Sequence, residues 1–223
     1  MIAAGVICLV IGYMFGIIQT AYIYGRANGI DIREYGSGNA GTTNALRVLG
    51  KKAGLIVFLG DLFKAIIATV GVRIVMSNYY PNEVYLFIAL AGFGVVLGHN
   101  FPFYLHFRGG KGIAATAGIV LGFADPVIIV ACLIVFVVAV ALTRYVSLGS
   151  ILMVTTFAGI YTASAICGRY DFVKGNDTSL IAMIVSIVIV IMLALLAIYR
   201  HKANIKRLIN HEESKLGEKK KDN

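Results

Sequence analysis

Residues Gly36 to Gly50 read GSGNAGTTNALRVLG, a polar stretch between two strongly apolar runs. Hydroxyl, amide and guanidinium groups crowd into it, from Ser37, Asn39, Thr42, Thr43, Asn44 and Arg47. Gly36, Gly38 and Gly41 permit the positive φ angles that let successive backbone N–H groups converge on an anion. The stretch therefore predicts a phosphate-binding segment held between apolar segments on both sides.

The composition around this stretch is that of a membrane protein. The 223-residue chain is 59% apolar and 14% charged, with a net charge of +9 and a mean hydropathy of +0.84. A separate soluble domain is not expected, and we predict one membrane-embedded domain over residues 1–223 with a basic tail over 200–223. The basic residues follow apolar runs and form no continuous stripe, which argues against nucleic acid as a partner.

Apolar segments predict an all-α, polytopic integral membrane protein of about seven transmembrane helices. The segments are Ile2–Tyr24, Leu55–Met76, Val84–Gly98, Ile113–Phe123, Val127–Leu142, Ile151–Ile166 and Ser179–Tyr199. The fourth covers only about two-thirds of a ~30 Å hydrocarbon core, and its ends and those of the sixth are the least defined. Asp61 and Lys64, inside the second, share a helical face and are expected to pair or to face the bundle interior. Residues Lys202–Ile209 suggest a short interfacial helix.

The positive charges predict the orientation. If the segments alternate sides, most of the 20 Lys and Arg residues share one side, in residues 26–54, 99–112, 143–150 and the tail. The positive-inside rule then places the N-terminus outside and the C-terminus in the cytoplasm. All the motif-like segments fall on the cytoplasmic face, where they can build one site.

A second glycine segment, RGGKG at residues 108–112, surrounds flexible glycines with two cations. It is not a Walker A loop, because Leu105 and Gly112 stand where that motif needs Gly and Ser or Thr. Two such segments on one face predict two bound phosphate groups. GSGNAG matches G-x-G-x-x-G in form, but no strand precedes it, so a dinucleotide site is not expected.

Histidines and serines supply the remaining candidates. His99, His106 and His201 are candidate acid–base groups, although a histidine at a helix boundary is more often a cap. Ser147 can donate to an anion, and Ser150 is expected to cap the following helix. The H-x-x-x-x-D pattern of common lipid acyltransferases is absent, as is a G-x-S-x-G nucleophile motif. No metal site is expected, because carboxylates and cysteines do not cluster with the histidines.

Four segments carry a resemblance to a known family: GSGNAGTTNALRVLG, GHNFPFYLHFRGGKGIAATAG, TRYVSLGS and YRHKANIKRL. In order and spacing they resemble the bacterial acyl-phosphate:glycerol-3-phosphate acyltransferases of the PlsY type, over Gly16 to about Leu208. The resemblance implies a seven-helix enzyme of the bacterial inner membrane, with an external N-terminus and a cytoplasmic active site. No cofactor is expected. It also implies transfer of an acyl group from acyl-phosphate to the sn-1 hydroxyl of glycerol-3-phosphate, giving lysophosphatidic acid in the first acylation of phospholipid synthesis.

The resemblance also assigns residues. It places four around the phosphates, namely Ser37, Arg47, Lys111 and Ser147. It places Gly109 and Gly110 beside the acyl-phosphate, His201 and Asn204 at glycerol-3-phosphate, and His99 and Asn39 in support. The glycine segments themselves add Gly38, Thr42, Asn44 and Arg108 as substrate-binding candidates.

Several mechanistic alternatives stay open at this stage. Acyl-phosphate is already activated, so we expect direct transfer without an acyl-enzyme. The hydroxyl proton has three candidate acceptors: His99, His201 and a substrate phosphate oxygen. A phosphate-ester transporter is the alternative function and predicts sites near the membrane midplane that open to both faces; a non-catalytic membrane scaffold is a weaker one. The tail has three open roles: binding anionic membrane lipid, binding a soluble acyl-phosphate-producing enzyme, or neither.

Overall fold

The computed structural model describes residues 1–170 and 177–217, so the tail end at 218–223 lies outside the described residues. The described helices are α1 Ile2–Gly16, α2 Thr20–Ala27, α3 Thr42–Tyr79, α4 Val84–Asn100, α5 Ile113–Phe123, α6 Pro126–Thr143, α7 Val146–Ile166, α8 Asp177–Arg200 and α9 Lys202–Ile209. Single 3-10 turns lie at Ile32–Glu34, Pro81–Glu83 and Phe103–Leu105. Within the described residues there is no strand, which confirms the all-α prediction.

Six described segments are long and apolar enough to cross a bilayer: Ile2–Ala27, Thr42–Tyr79, Pro81–Leu105, Pro126–Thr143, Val146–Ile166 and Ser179–Arg200. The chain is therefore a multi-pass membrane protein. α5 has the predicted bounds and only 11 residues, too few for an α-helix to span ~30 Å alone. Six of the seven predicted transmembrane helices are therefore long enough to cross the membrane, and α5 is the one that is not.

The first predicted span is broken in its second half. α1 ends at Gly16, and Gln19 adopts a non-helical conformation before α2 begins. Lys64 Nζ approaches the freed carbonyl oxygens of Gly16 and Ile18 at 3.2 and 2.6 Å, and Gln19 Nε2 donates to His99 O at 2.9 Å. These side chains replace helical hydrogen bonds, which hydropathy alone does not reveal.

α1 and α4 pack backbone against backbone. Gly12 and Gly16 on α1 face Gly94 and Gly98 on α4, and a Cβ at Gly98 would lie 2.3 Å from Tyr13 O. Small residues at four-residue spacing allow this close approach between membrane helices. The contact brings the end of α4 against the break after α1.

The predicted pairing inside the second span is confirmed. Lys64 Nζ lies 2.8 Å from Asp61 Oδ1, and both side chains are buried. Thr20 Oγ1 donates to the same carboxylate oxygen at 3.1 Å. A charged pair at this depth is stable only when such partners surround it.

Two helix starts differ from the expected ones. α3 begins at Thr42, so the second half of the polar stretch is helical, and Gly50 interrupts it with a φ of 87°. α7 begins at Val146, ahead of the predicted start, and its first turns bury Ser147, Gly149 and Ser150 rather than an apolar run. Ser150 Oγ donates to Val146 O at 2.7 Å inside the helix, so the prediction that Ser150 caps α7 is wrong. Tyr145 occupies that position.

Polar side chains collect at both ends of the bundle. At one end α3 and α7 begin and α4 ends, beside α9. At the other, Tyr170 Oη donates to Asp125 at 2.9 Å, Arg169 pairs with the same carboxylate at 3.0 Å, and Ser179 Oγ donates to Glu83 at 2.6 Å. α5 runs from the first end to the second.

Candidate functional site

The RGGKG segment folds back onto the end of α4. Gly109 N donates to Asn100 O and Gly110 N donates to His99 O, both at 3.1 Å. A Cβ at Gly109 would lie 2.0 Å from His99 O, so no side chain fits there without a shift. The two glycine N–H groups satisfy carbonyls at the end of a helix. In this conformation they shape the site and are not free to bind an anion.

Arg200, at the end of α8, fastens the same segment from the other side. Its Nη2 donates to Gly109 O at 3.0 Å and to Gly110 O at 2.9 Å. Its guanidinium carbon lies 5.4 Å from the centre of the Phe101 ring, a distance at which cation and ring attract. Arg200 was expected only as one of the basic tail residues, because nothing in its sequence position reveals two carbonyl partners.

Lys111 follows the two glycines and reaches α9. Its Nζ donates a hydrogen bond to Asn204 Oδ1. Burial lowers the pKa of Lys111 to about 8, and although Glu213 raises it, the cations of Arg207, Arg200 and Arg47 lower it further. The residues around Lys111 therefore form an environment with an excess of positive charge.

Glu213 joins the tail to this cluster. Its Oε1 accepts from Ser147 Oγ at 2.8 Å and from Asn204 Nδ2 at 2.6 Å, and its Oε2 accepts from Arg207 Nε at 2.7 Å. Burial raises the pKa of Glu213, but these three hydrogen bonds outweigh it and hold the pKa below its usual range. This carboxylate was not predicted from the sequence, because the tail has the composition of a solvated basic terminus.

His201 begins the turn into α9 and is buried. Its Nδ1 lies 2.7 Å from Ala197 O, and since a carbonyl oxygen only accepts, Nδ1 carries the proton and Nε2 is unprotonated. Burial, followed by the nearby Lys111 cation, lowers the pKa of His201 to about 4. The imidazole is therefore neutral near pH 7, with Nε2 able to accept a hydrogen bond or a proton.

The GSGNAG segment is organised by Asn44. Asn44 Oδ1 accepts from Ser37 N at 2.8 Å, and Nδ2 donates to Ile32 O and Tyr35 O, each at 3.0 Å. The buried amide therefore shapes the loop ahead of α3, which makes Asn44 a positioning residue. A Cβ at Gly36 would lie 2.3 Å from Asn44 Oδ1, so glycine is required there by space as well as by its φ of 62°.

The other members of this segment lie around the first turn of α3. Ser37 and Gly38 are exposed, as is Arg47, whereas Asn39 and Thr42 are half-buried. Among residues 1–170 and 177–217, Thr42 Oγ1 is buried and finds no hydrogen-bond partner. The N–H groups of this first turn point toward the start of the helix, the usual arrangement at an anion site.

The two glycine segments touch. A Cβ at Gly110 would lie 2.4 Å from Ala40 O and 2.2 Å from His99 Nε2. The backbone of the first segment and the ring of His99 thus border the same point of the second. The structure brings together Lys111, Ser147, His201 and Asn204 at one end of the bundle, with His99 directly behind the glycines.

Arg108 is not part of that cluster. It is exposed and lines a separate cavity with Asp31, Arg33, Glu34, Leu105 and His106. The Arg33 guanidinium lies 2.7 Å from Asp31, and its hydrogen bond lowers the pKa of that carboxyl despite burial. Arg108 and His106 therefore lie apart from the side chains that meet at Lys111.

Known proteins are similar to this chain in sequence and in fold. The sequence profile of the family described as glycerol-3-phosphate acyltransferase matches residues 6–211. A glycerol-3-phosphate acyltransferase of Clostridioides difficile (strain 630) is 41% identical over 96% of this chain and 97% of its own length. The Bacillus subtilis (strain 168) protein of the same name is 40% identical over 93% of this chain and 95% of its own.

Two crystal structures of PlsY (YgiH), an integral membrane glycerol 3-phosphate acyltransferase, have the same architecture. The glycerol 3-phosphate form superposes with a TM-score of 0.76 at 29% identity, covering 96% of each chain. The lysophosphatidic acid form gives a TM-score of 0.74 at the same identity, covering 96% of this chain and 95% of that one.

Proposed function

The chain belongs to the glycerol-3-phosphate acyltransferase family, and from that premise we propose that it moves an acyl group from acyl-phosphate to the sn-1 hydroxyl of glycerol-3-phosphate, releasing lysophosphatidic acid and phosphate. The observation that carries this proposal is the convergence of Lys111, Ser147 and Asn204 at one end of the bundle. Three separate segments of the chain contribute these side chains, as expected for a built site.

The charge of the site suits two anionic substrates. Bringing two phosphate groups together in a partly desolvated site is costly unless cations surround them. Lys111 supplies a compact charge on a flexible stem, and Arg47, Arg200 and Arg207 are near enough to influence its pKa. Arginine can bind a phosphate bidentately, whereas lysine can move between two phosphates as a point charge. Such a site binds both substrates and orients them.

The transfer proceeds directly in this account. The glycerol-3-phosphate hydroxyl oxygen attacks the acyl carbonyl carbon, the carbon–oxygen bond to phosphate breaks, and phosphate leaves. The hydroxyl proton passes to one of the three candidate acceptors, which are His99, His201 and a substrate phosphate oxygen. Ser147 is a poor nucleophile, because it donates to Glu213, whose lowered pKa makes the carboxylate a weak base. Orientation and charge neutralisation act on an anhydride that is already activated.

The site is proposed to face the cytoplasm at the inner membrane of a bacterium. α5 supports seven crossings, because it connects the end of the bundle with Lys111 to the end with Asp125. With seven crossings the N-terminus lies outside and the basic tail lies inside. Residues 1–223 form one domain in this account, and the tail from Lys202 to Glu213 belongs to the site. For the rest of the tail, anionic membrane lipid and a soluble acyl-phosphate-producing enzyme are the proposed partners.

A transporter has no comparable observation in its favour. The cluster lies at one end of the bundle, whereas a transporter predicts a binding site near the midplane that opens to both sides. Two charged side chains within the second predicted span, Asp61 and Lys64, pair with each other.

A donor comparison tests the proposal. Purified protein in detergent is given glycerol-3-phosphate with either acyl-phosphate or an acyl thioester, and lysophosphatidic acid is measured. We expect product from acyl-phosphate alone; equal rates from the thioester would contradict the proposed donor. Intact-protein mass spectrometry after incubation with acyl-phosphate and no acceptor tests direct transfer, and an acyl adduct on Ser37 or Ser147 would contradict it.

A further inference from the structure

A line of buried polar side chains runs from the membrane interior to the glycine segments. Asp61 Oδ1 lies 2.8 Å from Lys64 Nζ, and Lys64 Nζ lies 2.9 Å from His99 Nδ1. All three side chains are at least 95% buried. The convergence at Lys111 gives neither Asp61 nor Lys64 a role.

The partners of Lys64 determine where the protons lie. A carboxylate oxygen and two carbonyl oxygens can only accept, so Lys64 Nζ must be the donor toward Asp61, Gly16 and Ile18. With a carboxylate at 2.8 Å the amine is an ammonium. Its longest contact is the one to Gly16 O at 3.2 Å, which also accepts from Gln19 Nε2. The three shorter contacts match the three ammonium protons.

The Lys64 ammonium lies 2.9 Å from His99 Nδ1, whereas Asp61 Oδ1 lies 3.6 Å from that nitrogen, too far to accept a hydrogen bond from it, so Nδ1 accepts from the ammonium. An N–H group at Nδ1 would oppose the ammonium proton, so the neutral ring carries its proton on Nε2. Nε2 lies against Gly110, because a Cβ at that glycine would be 2.2 Å from it. The proton of His99 therefore faces the junction of the two glycine segments.

We infer that Asp61 and Lys64 are positioning residues that hold His99 as the Nε2–H tautomer, so that His99 acts at the active site as a hydrogen-bond donor. This inference rests on the proposed function for its kinetic consequence and on geometry alone for the tautomer. Because its Nε2 already carries a proton, His99 is no longer a candidate acceptor of the hydroxyl proton. His201, whose proton is on Nδ1, and a phosphate oxygen remain.

The tautomer is tested without any reaction. ¹⁵N spectra of histidine-labelled protein in detergent distinguish a protonated from an unprotonated ring nitrogen, and the signals lost in His99→Gln assign His99. We expect wild-type His99 to carry its proton on Nε2 throughout the pH range of activity. A proton on Nδ1 in the wild type would overturn the inference, whatever happens to any variant.

The positioning role is tested in the double variant Asp61→Leu/Lys64→Met, which removes both charges and leaves neither unpaired. We expect a mixture of His99 tautomers and a kcat reduced roughly 100-fold, the size of effect seen when a transition-state donor is lost. The matched control is Lys52→Met, an exposed lysine on the same helix, which is expected to keep wild-type tautomer and rate. An unchanged tautomer or kcat in the double variant would overturn the role.

Two replacements of His99 separate a donor from a base. The amide nitrogen of His99→Gln can stand where Nε2–H stands, whereas His99→Leu has no donor. A donor role predicts at least about tenfold higher kcat for His99→Gln than for His99→Leu; equal loss in both would contradict it. If wild-type protein transfers no acyl group, the proposed function fails, while the ¹⁵N spectra still decide the tautomer.

Discussion

Lys111 and Asn204 are 93 positions apart in the chain, and Nζ of Lys111 donates a hydrogen bond to Oδ1 of Asn204. The contact closes the RGGKG segment onto α9, and Asn204 Nδ2 in turn donates to Glu213 at 2.6 Å. The order of the site therefore depends on the tail as well as on the glycine segments.

The charge state of Lys111 predicts an alkaline limit to activity. Its pKa is lowered to about 8, and only the ammonium form neutralises phosphate. We expect kcat/KM to fall as pH rises through about 8. In Lys111→Arg this fall in kcat/KM should occur at higher pH, because a guanidinium stays charged. A fall at the same pH as in the wild type would show that another group causes it.

Replacing Glu213 should lower the activity of the enzyme. Glu213→Ala leaves Ser147, Asn204 and Arg207 without their acceptor, so kcat/KM should fall at least about tenfold. Glu213→Gln keeps one acceptor oxygen but loses the ion pair with Arg207, and should lie between Ala and wild type. Rates for both variants equal to wild type would show that the tail does not order the site.

Glu213 also predicts a dependence of stability on pH. The pKa of Glu213 is lower in the folded chain than its ordinary value. Ionised Glu213 therefore stabilises the fold at pH values above its ordinary pKa, and this stabilisation is lost as the pH falls through the folded pKa. The difference in thermal midpoint between wild type and Glu213→Gln should shrink on acidification over that range. A difference that is constant from neutral to acidic pH would contradict the assignment.

The backbone contact between α1 and α4 predicts sensitivity to a single methyl group. A Cβ at Gly98 meets Tyr13 O at 2.3 Å, so Gly98→Ala should lower the thermal midpoint by roughly 5 °C through overpacking. Gly159→Ala is the matched control, because nothing lies within 4 Å of its Cβ position in α7. Equal thermal midpoints for the two variants would show that α1 and α4 can move apart without loss of stability.

The proposed orientation predicts which thiols are accessible from outside. Cys167 is exposed and directly follows α7 at the end away from Lys111, so a membrane-impermeant thiol reagent should label it in spheroplasts. In a Cys167→Ser background, Asn210→Cys at the end of α9 should be labelled only after the membrane is permeabilised. The reverse pattern would invert the topology.

The sequence predicted the helices well and the contacts at their ends less well. Apolar runs predicted the bounds of α4, α5 and α6 within a few residues, because a helix in the membrane requires a continuous apolar segment. The break at Gln19 was not predicted, since it depends on Lys64 reaching carbonyls from another helix. The start of α7 was missed because polar Ser147 and Ser150 point inward from a helix.

For the site too, residues close together in sequence were predicted, and contacts between distant segments were not. Glycines and cations next to one another in sequence suggested Lys111, and the resemblance suggested Asn204; both meet in the structure. Arg200 and Glu213 could not be found that way, because their partners are carbonyls and side chains remote in sequence. The direction of the His99 proton also depends on a neighbour, Lys64, in a different helix.

The most direct test follows a radiolabelled acyl group from acyl-phosphate to glycerol-3-phosphate in purified, detergent-solubilised protein, with Lys111→Ala alongside. The account predicts labelled lysophosphatidic acid from the wild type and almost none from the variant, with both proteins showing the same helical circular dichroism. Absence of product from folded wild type would contradict the proposed reaction, and a wild-type rate in Lys111→Ala would remove Lys111 from the site.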